Sequence, residues 1–523
     1  MNKMKKQNLI WIGLLLSTLA CQSGWAATIK VCQSGCAYTS IADGVAAASA
    51  GDSIEISNGI YFERDIIIDK ELKIVGESQQ NVIMNATEQG RHFFIAESSV
   101  NVFIGNMRLM NGNAKANSLP SSVDYFCSHN SIYSGYSQGG SICSKSVNLE
   151  LRHVSFENNK ASNAGGALSY QGRDSNGVSS GKLIISKSQF LNNSVYWAHG
   201  NMGINQKNYG GAIHVLYSEL VSVSNSVFSK NSVYHKASNG SVAAASGGAI
   251  FVSSTKNLFS TQNHYEKNES SGNSGAVYFN SGWGWRNVQA DAKFTEDTFR
   301  SNYSEVGGAI SSFSDIIVKR STFHENKANS GGAIHNQGIL LAQNNTFSGN
   351  YALTEGAAIV HAPYYPWSQL TIQNNTFVGN ASDDQTQGGV IAISDRTGFT
   401  PEIVNSLFFK NDTHECYLNG TPPLIQGMNN LTDSSSCEPT GYTNLAADYN
   451  GYPFSLGTAT DVDPNLANNG GLTLTHAISR SSTALDSGTM DCITPANNGA
   501  PIINDQRGAP RVKYCDIGSF EYQ

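Results

Sequence analysis

Two kinds of side chain in this sequence could act on a polymer: flat rings that stack on sugars, and charged pairs that bind hydroxyls or carboxylates. They fall in loops at one recurring phase, as Arg173-Asp174, Trp283 and Trp285, Tyr364-Tyr365 and Trp367, and Asp395-Arg396. Aromatics in line along a groove suit stacking on sugar rings, with Arg and Asp taking the polar groups. On that reading Trp283, Trp285, Tyr364, Tyr365, Trp367, Arg173 and Asp174 bind. Arg396, with Asp395 beside it, is the candidate elimination base. The plainer alternative is that these rings fold back and pin their own loops, because buried aromatic area stabilises any fold.

Other machinery for polysaccharide chemistry is missing. A lyase neutralises a uronate carboxylate with a cation or an acidic Ca²⁺ site and adds an Arg or Lys base. A hydrolase needs two carboxylates roughly 5–10 Å apart. On a repetitive scaffold such acids would recur at one phase, and they do not. Asp383-Asp384 sits in a turn that takes Asp for its geometry. No cofactor or resident metal is expected, and Ca²⁺ enters only with the lyase reading.

The scaffold is legible from internal repeats. Phe-x-x-Asn recurs at Phe156/Asn159, Phe190/Asn193, Phe228/Asn231, Phe299/Asn302, Phe323/Asn326, Phe347/Asn350, Phe377/Asn380 and Phe408/Asn411, with Tyr265/Asn268 as a variant. Gly-Gly-Ala-Ile or a close copy alternates with it, starting at Gly165, Gly210, Gly247, Gly307 and Gly331. Phe299, Phe323 and Phe347 are 24 residues apart, and longer intervals elsewhere mark loop insertions. Stretches such as Leu370-Thr371-Ile372 alternate apolar and polar with β-branched residues, the signature of short strands. Strands repeated without helices predict an all-β, right-handed parallel β-helix over residues 27–440, one unit per coil. The repeated Asn is expected to turn a corner in the left-handed region, and the Gly pair to bend the chain tightly. Some 12 to 15 coils at about 4.8 Å each would make a rod of roughly 60–70 Å.

Composition agrees. Of 523 residues only 14% are charged, with a net charge of −7 and 51 Gly, while 40% are hydrophobic. Apolar surface is available to bury, so the chain is not disordered. With no basic block, nucleic acid is not an expected partner. The partner expected instead is an extracellular glycan or a host or cell-surface component.

Residues 1–26 read as a secretory signal: Lys3, Lys5 and Lys6, an apolar run Leu9 to Leu19, and Gly24-Trp25-Ala26. After its removal no integral membrane span remains. The cysteines that follow form four local pairs, Cys32/Cys36, Cys127/Cys143, Cys416/Cys437 and Cys492/Cys515. An even count in an exported chain favours disulfides, with the connectivity left open. Residues 39–50 predict a short amphipathic helix that would cover the first coil.

Two resemblances follow from these residues. The alternating GGAI and FxxN elements over 139–411 resemble the repeats of chlamydial-type polymorphic outer membrane proteins, which are surface adhesins with β-helix passengers. Those proteins end in a membrane β-barrel, and too few residues follow Asn411 to expect one here. The helix leading into strands resembles the N-terminal part of pectin-lyase-like solenoids. Residues Asn468 to His476, Ala484-Leu485-Asp486, Asp505-Gln506-Arg507-Gly508, Arg511 and Cys515 to Glu521 resemble the choice-of-anchor Q domain, giving a small C-terminal capping domain over 441–523. That resemblance implies secretion and names no reaction. An ion-paired cap needs the same acids and arginines.

The expectation is therefore a secreted or cell-surface rod, extracellular or outer-membrane-associated, that is adhesin-like or binds glycans. The alternatives are a polysaccharide lyase or related β-helix enzyme, and a purely structural rod.

Overall fold

The computed structural model describes residues 26–95, 100–114, 127, 137–174, 176–197, 208–235, 245–282, 291–364, 367–384, 388–394, 401–419, 425–433, 454–456, 461–490, 492, 501–512 and 514–523. The signal segment lies outside them. Paired strands run parallel throughout the ladders and stack into a parallel β-helix.

One coil shows how the sequence makes it. Lys182–Ser186 forms the leading half of a long sheet, and Lys187 at φ 48° bends it. Gln189–Leu191 forms the trailing half, and Asn192 at φ 56° turns the chain again. Ser194–Trp197 runs along a third face, and after the Gly-Gly corner Ile213–Leu216 joins a second sheet. Inward positions are apolar: Leu183 and Ile185 stack between Leu149 and Leu151 below and Val221 and Val223 above, all buried. Among the described residues the long sheet reaches fourteen rungs in its leading half, or about 65 Å at the usual strand spacing.

The Phe of each unit points inward, and nine rings from Phe156 to Phe408 stack with centroids 4.7–5.0 Å apart and planes within 4–11°. Each buried ring contributes roughly 1.5–3 kcal/mol from area alone, and each ring pair about 0.5–1.5 more. The Asn beside it forms a buried ladder. Asn193 Nδ2 donates to Phe156 O at 3.0 Å and to Asn231 Oδ1 at 3.0 Å, and the pattern repeats to Asn411. The left-handed residue is the one before it (Asn158, Asn192, Lys230), so the ladder Asn braces the corner rather than turning it. The reason is division of labour: αL turns the chain, and the following amide pairs groups the turn leaves unpaired.

The second Gly of each pair is required by close approach. A Cβ on Gly166 would meet Gly211 O at 2.1 Å, and one on Gly211 would meet Gly248 O at 2.1 Å.

A second polar ladder runs at the other bend. Backbone N–H groups donate coil to coil into Ser188, Ser226, Asn263, Asp297, Ser321, Asn345, Asn375, Ser406 and Asn430. Its mixed residue types hide it from any motif search.

The helix covering the first coil is Ile41–Ala47, shorter than expected. Ser40 caps it, and the Glu63 carboxylate accepts from the N–H groups of Ile41 and Ala42. It ends at Ala48, where the chain turns extended, and Asp52 braces the segment beyond: Asp52 accepts from Ser49 N and Ala27 N, and those bonds lower its pKa. Disulfides join Cys32–Cys36, Cys127–Cys143 and Cys492–Cys515. Cys416 is also disulfide-bonded, and its expected partner Cys437 lies outside the described residues.

The C-terminal segment folds back along the flank of the trailing half. Thr322 Oγ1 donates to Leu474 O, Ser519 N to Thr376 Oγ1 at 2.9 Å, and Gly518 N to Asn405 O at 2.8 Å. Val378, Leu407, Phe409 and Leu431 of the rod pack there with Val462, Ile478, Ile517 and Phe520.

Candidate binding surface

The loops expected to carry a site all leave the second sheet and feed the leading half of the long sheet. In the first of them Asp174 Oδ1 accepts from Asn176 N at 2.9 Å and Val178 N at 2.8 Å, closing a turn. The Arg173 guanidinium lies 3.4 Å from the ring centroid of Tyr217 on the next coil. Both residues are thus engaged in holding their own loop, and neither is fully exposed.

Tyr364 and Trp367 share another such loop, and both project, 55% and 52% exposed. Its base is tied down: Tyr364 N and Ser368 Oγ both donate to Gln337 O, at 3.1 and 2.9 Å. Trp283, Trp285, Tyr365, Asp395 and Arg396 lie outside the described residues.

The structure adds a groove that motif reading missed. Register along the leading half sets Lys73, Phe103, Glu150 and Ile184 in one outward row. They line an open groove of about 210 Å³, with Glu71, Asn101, Asn148 and Lys182 along one side. Lys73 Nζ lies 5.7 Å from the Phe103 centroid, a cation–π contact that leaves ring and charge side by side. Along the side, Asn101 Nδ2 donates to Glu71 Oε2 at 3.4 Å and Asn148 Nδ2 to Asn101 Oδ1 at 2.6 Å. Further along the same row, Lys293 Nζ sits 5.6 Å from the Phe259 centroid. The Arg173 loop leads directly into Lys182 at the groove wall. The only signal for this row in sequence is period-two outward placement, visible once the inward Leu and Ile are known.

What this surface offers is stacking and hydrogen bonding. Among the described residues no cluster of three or more His, Cys, Asp or Glu could hold a metal ion. Two of the buried histidines are hydrogen-bonded within the fold. His92 bonds Ser141 Oγ at 2.9 Å and two backbone carbonyls, and burial lowers its pKa to about 4. His476 bonds Ser348 Oγ and Asp463 O and is held at about 4 by burial. The C-terminal acids and arginines are likewise paired. Asp505 meets Arg507 at 2.8 Å and Glu521 meets Arg511 at 2.9 Å, all but Arg507 essentially buried. Arg511 also reaches Asn344 Oδ1 of the rod at 2.9 Å. This network staples the segment in place.

The model of the Chlamydia polymorphic membrane protein repeat matches residues 153–171 and 320–337. Two stretches of the rod carry that repeat. Each spans a trailing-half Phe, the ladder Asn, the Gly-Gly corner and the strand after it. No curated protein matches the chain. Among solved structures, pectate lyase Pel9A is similar at 10% identity, over 96% of this chain and 97% of that one, with a TM-score of 0.35. Pectin methylesterase PemA from Erwinia chrysanthemi is similar at 11% identity, over 82% and 98%, with a TM-score of 0.23. Likenesses this loose carry no argument about the site; the β-helix assignment rests on the sheet topology. No helix among the described residues is long and apolar enough to cross a membrane.

Proposed function

We propose that this chain is a secreted or cell-surface binding rod, adhesin-like, that takes an extracellular glycan or glycan-bearing surface component. The observation that carries the reading is the open groove in which Phe103 lies beside Lys73, Glu150 and Lys182, a stacking ring within reach of donors and acceptors. The exposed pair Tyr364 and Trp367 belongs to the same reading. The polymorphic membrane protein repeat supports a place at the cell surface. The C-terminal segment, by its resemblance to a choice-of-anchor Q domain, belongs with secretion.

The test is retention of the purified protein on a panel of immobilised glycans, with absorbance from unsaturated products followed alongside on uronate polysaccharides. Binding without turnover is expected, weakened by Phe103→Ala or Trp367→Ala. Turnover abolished by Arg396→Ala would instead make the chain a lyase. Neither retention nor turnover would leave a structural rod.

A further inference from the structure

The groove at Phe103 continues into a cluster of cations that the binding reading leaves unused. Gly105, two residues beyond Phe103, pairs in register with Arg152 on the next coil. A Cβ on Gly105 would meet Phe103 Cε1 at 2.7 Å and Cζ at 3.0 Å. The ring therefore lies down over the glycine, toward the row that carries Arg152. Lys73 pairs with Phe103 from the coil on the other side. The ring has a cation on each flank.

Beyond Arg152 the chain turns at His153, and Lys187 takes the same corner position on the following coil. Both are in the left-handed region, at φ 53° and 48°. Burial, then the charges of Lys187 and Arg152, lower the pKa of His153. Arg152 and Lys187 are exposed, and among the described residues neither forms an ion pair. By contrast Arg108 pairs with Glu157, Arg300 with Glu325 and Arg320 with Glu296. In a chain of net charge −7, the cations Lys73, Arg152, Lys182 and Lys187 here face only the carboxylates Glu71 and Glu150.

That arrangement selects a ligand. A ring laid flat suits the apolar face of a sugar. Glu71 and Glu150 accept from hydroxyls and repel a densely charged polyanion. The cations span three strand spacings from Lys73 to Lys187, about 14 Å along the rod. An arginine fork with an ammonium beside it suits an oxyanion. A polymer whose anionic groups are set apart by neutral, hydroxylated rings meets all of these demands.

We propose that the groove takes an acidic polysaccharide, with a sugar ring stacked on Phe103 and sulfate or carboxylate groups held by Arg152 and Lys187 at one end and Lys73 at the other. The inference rests on the glycan reading and names its ligand class. The experiment is biolayer interferometry of the full chain on immobilised cellulose sulfate, carboxymethylcellulose and neutral hydroxyethylcellulose, with polyglutamate as a polyanion without sugars. Retention on at least one acidic cellulose, well above the neutral one and falling with salt, is expected. Whichever retains the chain names the anion. Lys187→Glu should weaken that retention about tenfold, about 1.4 kcal/mol. Lys230→Glu makes the same charge change at an exposed left-handed residue on the other bend of the coil, and should leave retention unchanged. Phe103→Ala should weaken it too, and circular dichroism should show each variant folded. Equal retention on hydroxyethylcellulose overturns the inference while the glycan reading stands, as does Lys187→Glu behaving like Lys230→Glu. Polyglutamate held as tightly as the acidic celluloses also overturns it, since the surface then acts only as an ion exchanger. Retention on none of these celluloses nor on a wider glycan panel overturns both readings.

Discussion

The trailing half of the long sheet presents the same outward row in two settings. From Gln189 through Val227 and His264 to Thr298 the row is open or partly open to solvent. From Thr322 through Thr346 and Thr376 to Leu407 it is buried beneath the C-terminal segment. Inside, nothing changes: the Phe stack and the Asn ladder run through both stretches with the same spacing. Outside, charge and length give way to hydroxyls with named partners and then to Leu407 and Phe409. Thr346 Oγ1 donates to Gln506 Oε1 at 2.6 Å, and Thr376 Oγ1 accepts from Ser519 N. A coil is thus built by its interior, while its exterior is free to serve docking in one region and solvent or ligand in another.

Breaking the staple should separate the two regions most. Arg511→Met leaves Glu521 buried and uncompensated, at about 3–5 kcal/mol. Limited proteolysis should then cut within the C-terminal segment while the coils around Phe190 to Phe299 stay protected. Simultaneous loss of both regions would mean the cover is integral to the whole rod.

The interior should not notice the cover. Asn302→Ala removes an amide with bonds to Tyr265 O, Asn326 Oδ1 and Asn268, and Asn350→Ala removes the same set under the covered stretch. Each should cost about 2–4 kcal/mol in urea unfolding, because each orphaned buried group costs about 1–3. A large difference between the two would mean that the interior of the rod does respond to the cover.

Asp297 is the one carboxyl in the second ladder, fully buried, and desolvation pushes its pKa up to about 7. The folded state therefore binds this proton more tightly than the unfolded chain does. Its stabilising effect is complete below the unfolded value near 4 and is lost as pH rises toward 7. Stability should fall by roughly 2–4 kcal/mol over that window. Asp297→Asn, matching Asn345 and Asn375 on later coils, should flatten the pH profile and raise the neutral-pH melting temperature. An unchanged profile would remove Asp297 as its source.

The smallest effect is the sharpest test of the comparison. Thr376→Val strands Ser519 N and should cost about 1–3 kcal/mol. Thr298→Val, the same residue on the open stretch, should stay within about 0.5 kcal/mol.

Legibility followed the range of the contacts. Phe-x-x-Asn and Gly-Gly could be read because each coil solves the same local problem with the same atoms: a ring under a ring, an amide between two carbonyls, a glycine against the next carbonyl. The second ladder stayed hidden because Ser, Asn and Asp all supply one acceptor and share no motif. Arg173 and Asp174 stand out in the sequence for their charge, yet their contacts with Tyr217 and a local turn appear only in three dimensions. The groove around Phe103 and the cations beside it were obscured for a related reason. Loops of unequal length separate residues that register places on adjacent coils.

The sequence alone determined a parallel β-helix, its inward faces and the covering helix at its start, since these rest on periodicity and on contacts repeated from one coil to the next. Only the tertiary structure decided which outer faces stay open, where the C-terminal segment lies and which charges are used up as staples. Contacts such as Thr376 with Ser519 join positions 143 residues apart and occur once. An unrepeated contact between distant positions leaves no period to read.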